Sequence, residues 1–382
     1  MLSLPEPEAS ACVSQHWEEV PCPLCEAADE EEVLRVARPA GQPAYRLVRC
    51  RACGMGYLNP RPNEDSIGQY YQNDYECYQH TPRRLGGWWR RIRGYIDRLV
   101  LAHCYNYPYP QLRWHEKVLA AGLGTGLGWG RQSLTTLPFK GRGDMLDFGC
   151  GSGWYAQRMR EQGWRVTGMD FSPHAARQAA ERYHLRVLVG SLPHPAVAPE
   201  SFDLITMGCV LEHVHWPHQV IAAAARALRP GGALVIAVPN LASLGFRYFG
   251  PDWWPLELPR HLLHFSPATL RRLVTVHGLE IDEERTVARK SWMRRSFAIA
   301  RRRPGGGKFR RLLTNLGRVR LVPSLLTHWT VWSHRADCLL LRARRPERVS
   351  SRTFLPRLVP TTRDSHVPVE HDCLPGVKEP VG

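Results

Sequence analysis

From Gly143 to about Val287, short apolar runs alternate with stretches in which apolar residues recur three or four positions apart. The runs predict strands over Asp144–Phe148, Arg165–Met169, Arg186–Val189, Phe202–Met207, Ala233–Val238 and Leu279–Val287. Helices fit between them at Trp154–Gln162, His174–Tyr183, His218–Leu228 and Pro267–His277. Strand and helix in alternation predict an α/β fold, a parallel sheet with crossover helices. Ser266 marks the start of the fourth helix, because its hydroxyl can cap the first turn and Pro267 lacks an N–H that the turn would leave unbonded anyway. One further strand, Asp337–Ala343, comes only after a long insert.

Outside that block the pattern changes. Residues 1–62 hold cysteine pairs, prolines and short strand-like pieces such as Tyr45–Val48, and read as a separate small module. Residues 63–140 read as a helical linker or cap, with a helix through Trp88–Ala102 and a glycine-rich stretch, Ala121–Gly130. The α/β domain occupies 141–346. The tail, 347–382, is polar and proline-rich and is expected to be disordered.

The insert, residues 289–335, carries apolar positions (Trp292, Phe297, Phe309, Leu312, Leu313, Leu316, Leu321, Leu325, Leu326) among the arginines Arg301–Arg303, Arg310 and Arg311. This suits two amphipathic helices broken at Pro304–Gly307. Such helices can cover a cleft, lie on an anionic membrane or pack against the sheet edge.

Charge sharpens the picture of that insert. The 382-residue chain has a formal net charge of +16, and between Arg285 and Arg348 there are eighteen Lys or Arg against only Asp337 and Glu347. The block suits phosphates or an anionic membrane surface, although a general arginine bias would produce it too. No apolar run approaches a membrane span, and the start, MLSLPEPEAS, lacks a signal peptide's basic and apolar regions. A cytoplasmic protein is expected, with a peripheral place at the inner face of the membrane open through residues 289–335.

The chemistry centres on Met145–Gly153, which reads MLDFGCGSG. An apolar strand runs into Gly149, Gly151 and Gly153, which permit a sharp turn and close backbone approach to a ligand. A dinucleotide site would read GxGxxG. Here the loop is GxGxG, with Asp147 two residues ahead, and that carboxylate would repel a pyrophosphate but attract a cationic aminoacyl group. Asp170 ends the next strand, where a carboxylate can take both ribose hydroxyls.

These segments resemble the class I S-adenosylmethionine-dependent methyltransferases. Asp147–Gly153 is similar to their first motif and Asp170 to their ribose-binding acid. Phe202–Ile205 is similar to their fourth strand, and Leu228–Leu234, LRPGGAL, to the turn into their fifth. The resemblance covers about residues 141–346. It implies a Rossmann-like sheet, mostly parallel with the last strand antiparallel, and S-adenosylmethionine as cofactor. It also implies that Gly149, Gly151 and Gly153 cradle the methionine part and that Ser191 and Leu192 border adenine.

Cys22 and Cys25, and Cys50 and Cys53, form two CxxC pairs. Each pair can present two thiolates to one tetrahedral zinc, and two pairs close the shell. A closed shell leaves no open position for catalysis, so the zinc is expected to be structural. The phrase Arg49–Pro62, with Leu211–Val214 (LEHV) and Pro259–Ser266 (PRHLLHFS), resembles bacterial methyltransferases with an N-terminal zinc ribbon, often associated with cell-surface polysaccharide and natural-product pathways.

Methyl transfer is an in-line displacement that needs alignment and, for some acceptors, removal of a proton. His213 and Glu212 follow the fourth strand and His261 and His264 the fifth, where the acceptor is expected. His213, His261 and Glu212 are the candidate catalytic residues. Glu212 and His213 also resemble part of the metal triad of ubiquinone-pathway O-methyltransferases. Cys209 stands where a further acid belongs, so no catalytic magnesium is predicted; Cys209 is read as lining the cofactor.

A small-molecule or glycan acceptor is the leading expectation. A nucleic acid is the alternative suggested by the ribbon and the basic block. The end of the fourth strand reads Met207-Gly-Cys-Val, however, without the Asn/Asp-Pro-Pro-aromatic loop that stacks a base. A methyltransferase fold kept as a binding scaffold is the third reading.

Overall fold

The computed structural model describes residues 16–37, 43–71, 87–108, 112–123, 137–139, 141–303, 326, 329–330 and 333–347. The expected tail beyond residue 347, the Pro304–Gly307 break and second helix of the insert, and most of the stretch Ala121–Gly130 lie outside them.

Seven strands form the main sheet: β1 (Asp144–Phe148), β2 (Arg165–Asp170), β3 (Arg186–Val189), β4 (Phe202–Gly208), β5 (Leu228–Pro239), β6 (Glu280–Val287) and β7 (Cys338–Arg344). Their order is β3-β2-β1-β4-β5-β7-β6. β7 runs antiparallel to both neighbours and the other pairings are parallel. The predicted helices appear as Trp154–Glu161, Pro173–Tyr183, Pro217–Ala227 and Pro267–Thr275. Ser266 caps the last one, its Oγ accepting from Thr269 N at 3.3 Å.

β4 and β5 are buried on both faces, as a central parallel strand must be. Leu234, Ile236 and Val238 pack on one side with Val220, Ile221 and Leu273. Val235 and Ala237 pack on the other with Met145, Ala156 and Trp164.

The N-terminal segment is built into this body. Glu30–Val36, Tyr45–Cys50 and Gly56–Leu58 form an antiparallel sheet, and Leu263–His264, two hundred residues on, adds its fourth strand beside Gly56–Leu58. Gly56 permits the approach: a Cβ there would lie 2.5 Å from Leu241 Cδ2 and 3.1 Å from the carbonyl oxygen of His264. Arg61, buried, pairs with Glu18 at 2.8 Å and donates to His215 O at 3.1 Å. Cys22, Val48, Tyr57 and Leu58 share one core with Leu211, Leu262 and Phe265.

The insert begins with a helix, Lys290–Arg302. Its apolar residues Met293, Phe297 and Ala300 are buried against Phe249, Trp253 and Leu256, and Ser296 Oγ accepts from Trp254 N at 2.9 Å. Among the described residues no helix is long and apolar enough to cross a membrane.

Candidate active site

The strand order reverses between β1 and β4, and in open α/β sheets the crevice beyond the strand ends at such a point takes the ligand. Here that crevice is a cleft of about 410 Å³. β1 contributes Phe148, Gly149 and Gly151, β2 Asp170 and Phe171, the turn after β3 Ser191 and Leu192, and the turn after β4 Cys209 and Val210. The volume lies within the range of small-molecule sites.

The glycine loop holds its shape for local reasons. Gly149, Gly151 and Gly153 take φ of 77°, 50° and 74°, the left-handed region that side chains resist. Gly149 is doubly constrained, since a Cβ there would come within 2.4 Å of Val210 Cγ2. Asp170 braces the loop by accepting from Gly151 N at 2.8 Å and from Ser172 N at 3.0 Å. Burial raises its carboxyl, against the pull of those two N–H groups.

Asp147 is 4% exposed. Its Oδ1 accepts from Thr206 Oγ1 at 3.0 Å, and its Oδ2 has no hydrogen-bond partner. Burial pushes its carboxyl up to about 7, against the Thr206 bond and helped by the charge of Asp170.

The opposite wall comes from residues 64–71, the start of the stretch whose sequence reads as a helical linker or cap. Glu64, Ile67 and Tyr71 line the cleft beside His213, His215 and Trp216. Tyr71 Oη lies 2.8 Å from His213 Nδ1, and its ring meets Phe171 edge-on at 4.8 Å. Glu64 accepts from Trp216 Nε1 at 2.7 Å, and His215 Nε2 lies 2.9 Å from Pro62 O. No local motif marks Tyr71. Its role arises from the chain passing over the strand ends.

His213 alone of the three catalytic candidates reaches the cleft. Its Nδ1 also lies 3.0 Å from Arg260 O, and a carbonyl can only accept, which assigns the proton to Nδ1. Burial, reinforced by the charge on His261, pulls His213 down to about 3, so the ring is neutral.

Glu212 and His261 lie behind it, 0% and 4% exposed. His261 donates to Glu257 Oε2 at 3.0 Å and to Pro255 O at 2.7 Å. Burial would lower His261, but the pair with Glu257 outweighs it and raises the ring above its ordinary value. Burial pushes Glu212 up to about 7 against the attraction of His261, and neither of its oxygens has a hydrogen-bond partner. His264, 1% exposed, also sits outside the cleft, with burial holding it down at about 3. Position after a strand places a residue at the right end of the sheet; it does not say whether the side chain turns into the cleft or the core.

The ligand atoms of Glu212, His213 and His261 lie within 4.8 Å of one another. That set is nitrogen-rich, and both His261 nitrogens already serve Glu257 and Pro255. Magnesium, which takes oxygen ligands, does not suit it.

The four thiols converge. Cys22 and Cys53 Sγ are 3.5 Å apart, as are those of Cys25 and Cys50, and all four fall within 4.8 Å of one another. These spacings exceed a disulfide bond and suit sulfurs around one ion. The two knuckles are built alike: Glu26 N donates to Cys22 O at 2.8 Å and Gly54 N to Cys50 O at 2.9 Å. Glu26 and Gly54 both take positive φ, 62° and 77°.

A family described as "Methyltransferase domain" matches residues 129–284. The chain is 33% identical over 163 residues to a ubiquinone biosynthesis O-methyltransferase of Thiobacillus denitrificans, covering 39% of this chain and 69% of that enzyme. The chain belongs to the S-adenosylmethionine-dependent methyltransferases. A malonyl-[acyl-carrier protein] O-methyltransferase of Serratia marcescens is 33% identical over 131 residues, 33% of this chain and 49% of that one. A solved S-adenosylmethionine-dependent methyltransferase from Mesorhizobium loti aligns with 59% of this chain and 100% of its own, at 21% identity and a TM-score of 0.40. The strand order, with only the last strand antiparallel, is the sheet that the class I resemblance implied.

For this methyltransferase the cofactor's fit can be tested on the site itself. Asp147 and Gly153 are not part of the cleft wall; an ammonium that reached the buried, unpartnered Asp147 Oδ2 past Phe148 and Gly149 would answer it. Gly149 and Gly151 bring backbone to the cleft surface, and Asp170, at the cleft edge, keeps acceptor capacity beyond its two N–H bonds.

Proposed function

We propose that this methyltransferase transfers a methyl group to a small-molecule or glycan acceptor, with an oxygen as the attacking atom. The observation that carries the reading is the shape of the site: one cleft in which the glycine loop faces a wall of Tyr71, His213 and Trp216. That wall is aromatic and compact, and Met207-Gly-Cys-Val offers no base-stacking loop in its place. The Thiobacillus and Serratia relatives are both O-methyltransferases by name, which supports an oxygen acceptor.

S-adenosylmethionine, when bound, supplies an electrophilic methyl on a sulfonium. Asp147 and the glycine loop would hold its aminoacyl end, with Cys209 beside it. Asp170 would hold the ribose, and Ser191 and Leu192 the adenine. His213, neutral and with its Nδ1 proton turned to Arg260, offers Nε2 as a hydrogen-bond acceptor that orients the attacking hydroxyl, and Tyr71 fixes that ring. A ring so hard to protonate cannot store the released proton. The proton leaves instead to solvent at the mouth of the cleft, where Glu64 and Trp216 are exposed. Incubation with labelled cofactor and panels of hydroxylated metabolites, oligosaccharides and RNA tests the reading. Methyl transfer to RNA alone would overturn it.

With an acceptor in hand, His213→Ala is expected to lower kcat by about a hundredfold, the lower end of general-base and orienting effects, with cofactor affinity unchanged. An equal loss of cofactor affinity would place His213 in the cofactor site instead.

The state of Asp147 gives a pH dependence. Its free-protein carboxyl near 7 must ionise to receive a cation, so cofactor binding releases a proton below that pH. Affinity is expected to rise from pH 5 to pH 7 and to be about tenfold weaker at pH 6 than at its plateau. Calorimetry in two buffers of different ionisation enthalpy measures the released proton. A flat profile with no proton release would remove Asp147 from the cofactor's cationic end.

The four thiolates would hold one structural zinc. The basic insert's described helix already buries its apolar side within the protein, which favours packing over membrane insertion for that part.

A further inference from the structure

Helices Gly87–Cys104 and Trp114–Ala121 carry an unusual surface for elements outside the catalytic sheet. Trp88, Ile92 and Tyr95, at positions i, i+4 and i+7, line one face of the first helix and are 58%, 40% and 49% exposed. On the second, Trp114, Val118 and Leu119 are 78%, 66% and 47% exposed. Tyr95 Oη donates to Glu116 Oε1 at 2.7 Å, which joins the two helices. Isolated exposed apolar residues need no explanation, but six on two adjoining helices mark an interaction surface.

The charge around them is one-sided. Arg91, Arg93, Arg98, Arg113 and Lys117 are exposed on the same helices or at their cap. The two acids are engaged: Asp97 with Arg158 at 2.9 Å, and Glu116 with Tyr95 and the backbone of Arg113. Aromatic rings with a polar edge, set among cations on exposed helices, suit the boundary of a bilayer with anionic headgroups.

We propose that this face docks on an anionic lipid bilayer. A second copy of the chain is disfavoured, because a two-fold contact would set five cations against five. The helix of the basic insert, with its apolar side buried, adds no such stripe. The docking surface therefore lies on helices Gly87–Cys104 and Trp114–Ala121, apart from the insert's described helix.

Flotation of the full chain with vesicles tests this. Wild-type protein should float with phosphatidylglycerol/phosphatidylcholine vesicles at low salt, release as salt rises, and stay behind with pure phosphatidylcholine. Trp88→Ser with Trp114→Ser should cut the floated fraction at least tenfold with cofactor affinity unchanged. Should that pair fail to fold, Arg91→Glu with Lys117→Glu keeps the apolar stripe, alters only exposed side chains and should give the same loss. The proposal is overturned if wild type never floats with anionic vesicles, or if a folded variant floats undiminished. It is equally overturned if wild type is a dimer in solution that these substitutions dissociate, since the face is then a subunit interface.

Discussion

Asp170→Ala is expected to weaken S-adenosylmethionine binding by about a hundredfold or more. The proposed hydrogen bonds from the ribose hydroxyls to this carboxylate are charge-assisted, and such bonds contribute roughly 1.5–3 kcal/mol each; about 1.4 kcal/mol is a factor of ten. A second loss adds to the first. Gly151 N and Ser172 N give their hydrogen bonds to this same side chain, so its removal also frees the glycine loop that the cofactor needs in place. Asp170→Asn keeps an acceptor oxygen and should lose less. Calorimetry gives the affinities, and an Asp170→Ala protein that binds as tightly as wild type would remove the ribose assignment. Thermal melting without cofactor separates binding from folding. Because the substitution takes the acceptor from Gly151 N and Ser172 N, the free protein should melt lower as well.

Cys50→Ser is expected to empty a site that in wild type holds one zinc per chain. Structural zinc bound by four thiolates contributes on the order of 10 kcal/mol to the fold around it, in addition to the core that Val48, Tyr57 and Leu58 share with the main domain. The strands of the small sheet should lose hydrogen-exchange protection while β1 and β4 keep theirs. Affinity for S-adenosylmethionine should change little, whereas turnover should fall, since Glu64, Ile67 and Tyr71 belong to the same segment as the thiolates. Elemental analysis that finds no zinc in wild type purified without chelator would defeat the assignment. So would a metal-free variant with undiminished protection across residues 45–58.

The main sheet was legible because its signals are local. Apolar runs gave β1 and β3 their observed ends, and Ser266 with Pro267 gave a helix its observed start. Asp147, the three glycines and Asp170 were legible as a site because a turn between strand and helix sets their spacing. What stayed hidden depends on distant partners. Leu263–His264 has no strand signal of its own and is extended because Gly56–Leu58 lies beside it. Leu244–Phe249, a six-residue helix capped by Ser243, is too short for periodicity to show. Tyr71 enters the site by tertiary docking. Glu212 and His261 were expected at the acceptor for their chemistry, and their side chains turn inward to a buried charge cluster instead.

The strand pairing of Gly56–Leu58 with Leu263–His264 joins segments about 200 residues apart, which bears on the order of folding. During synthesis the metal-binding knuckles leave the ribosome long before their sheet can be completed. Contacts of such long range close late, because the intervening loop must first be ordered. The thiols can gather their ion early, but Tyr57, Leu58 and the wall carrying Tyr71 must wait for β5 and the turn beyond it. Expression of the first 70 residues alone should therefore yield a chain with an uncovered sheet edge, prone to associate with its own copies. Removal of those residues would in turn uncover Leu262, Leu263 and Phe265 on the remaining domain.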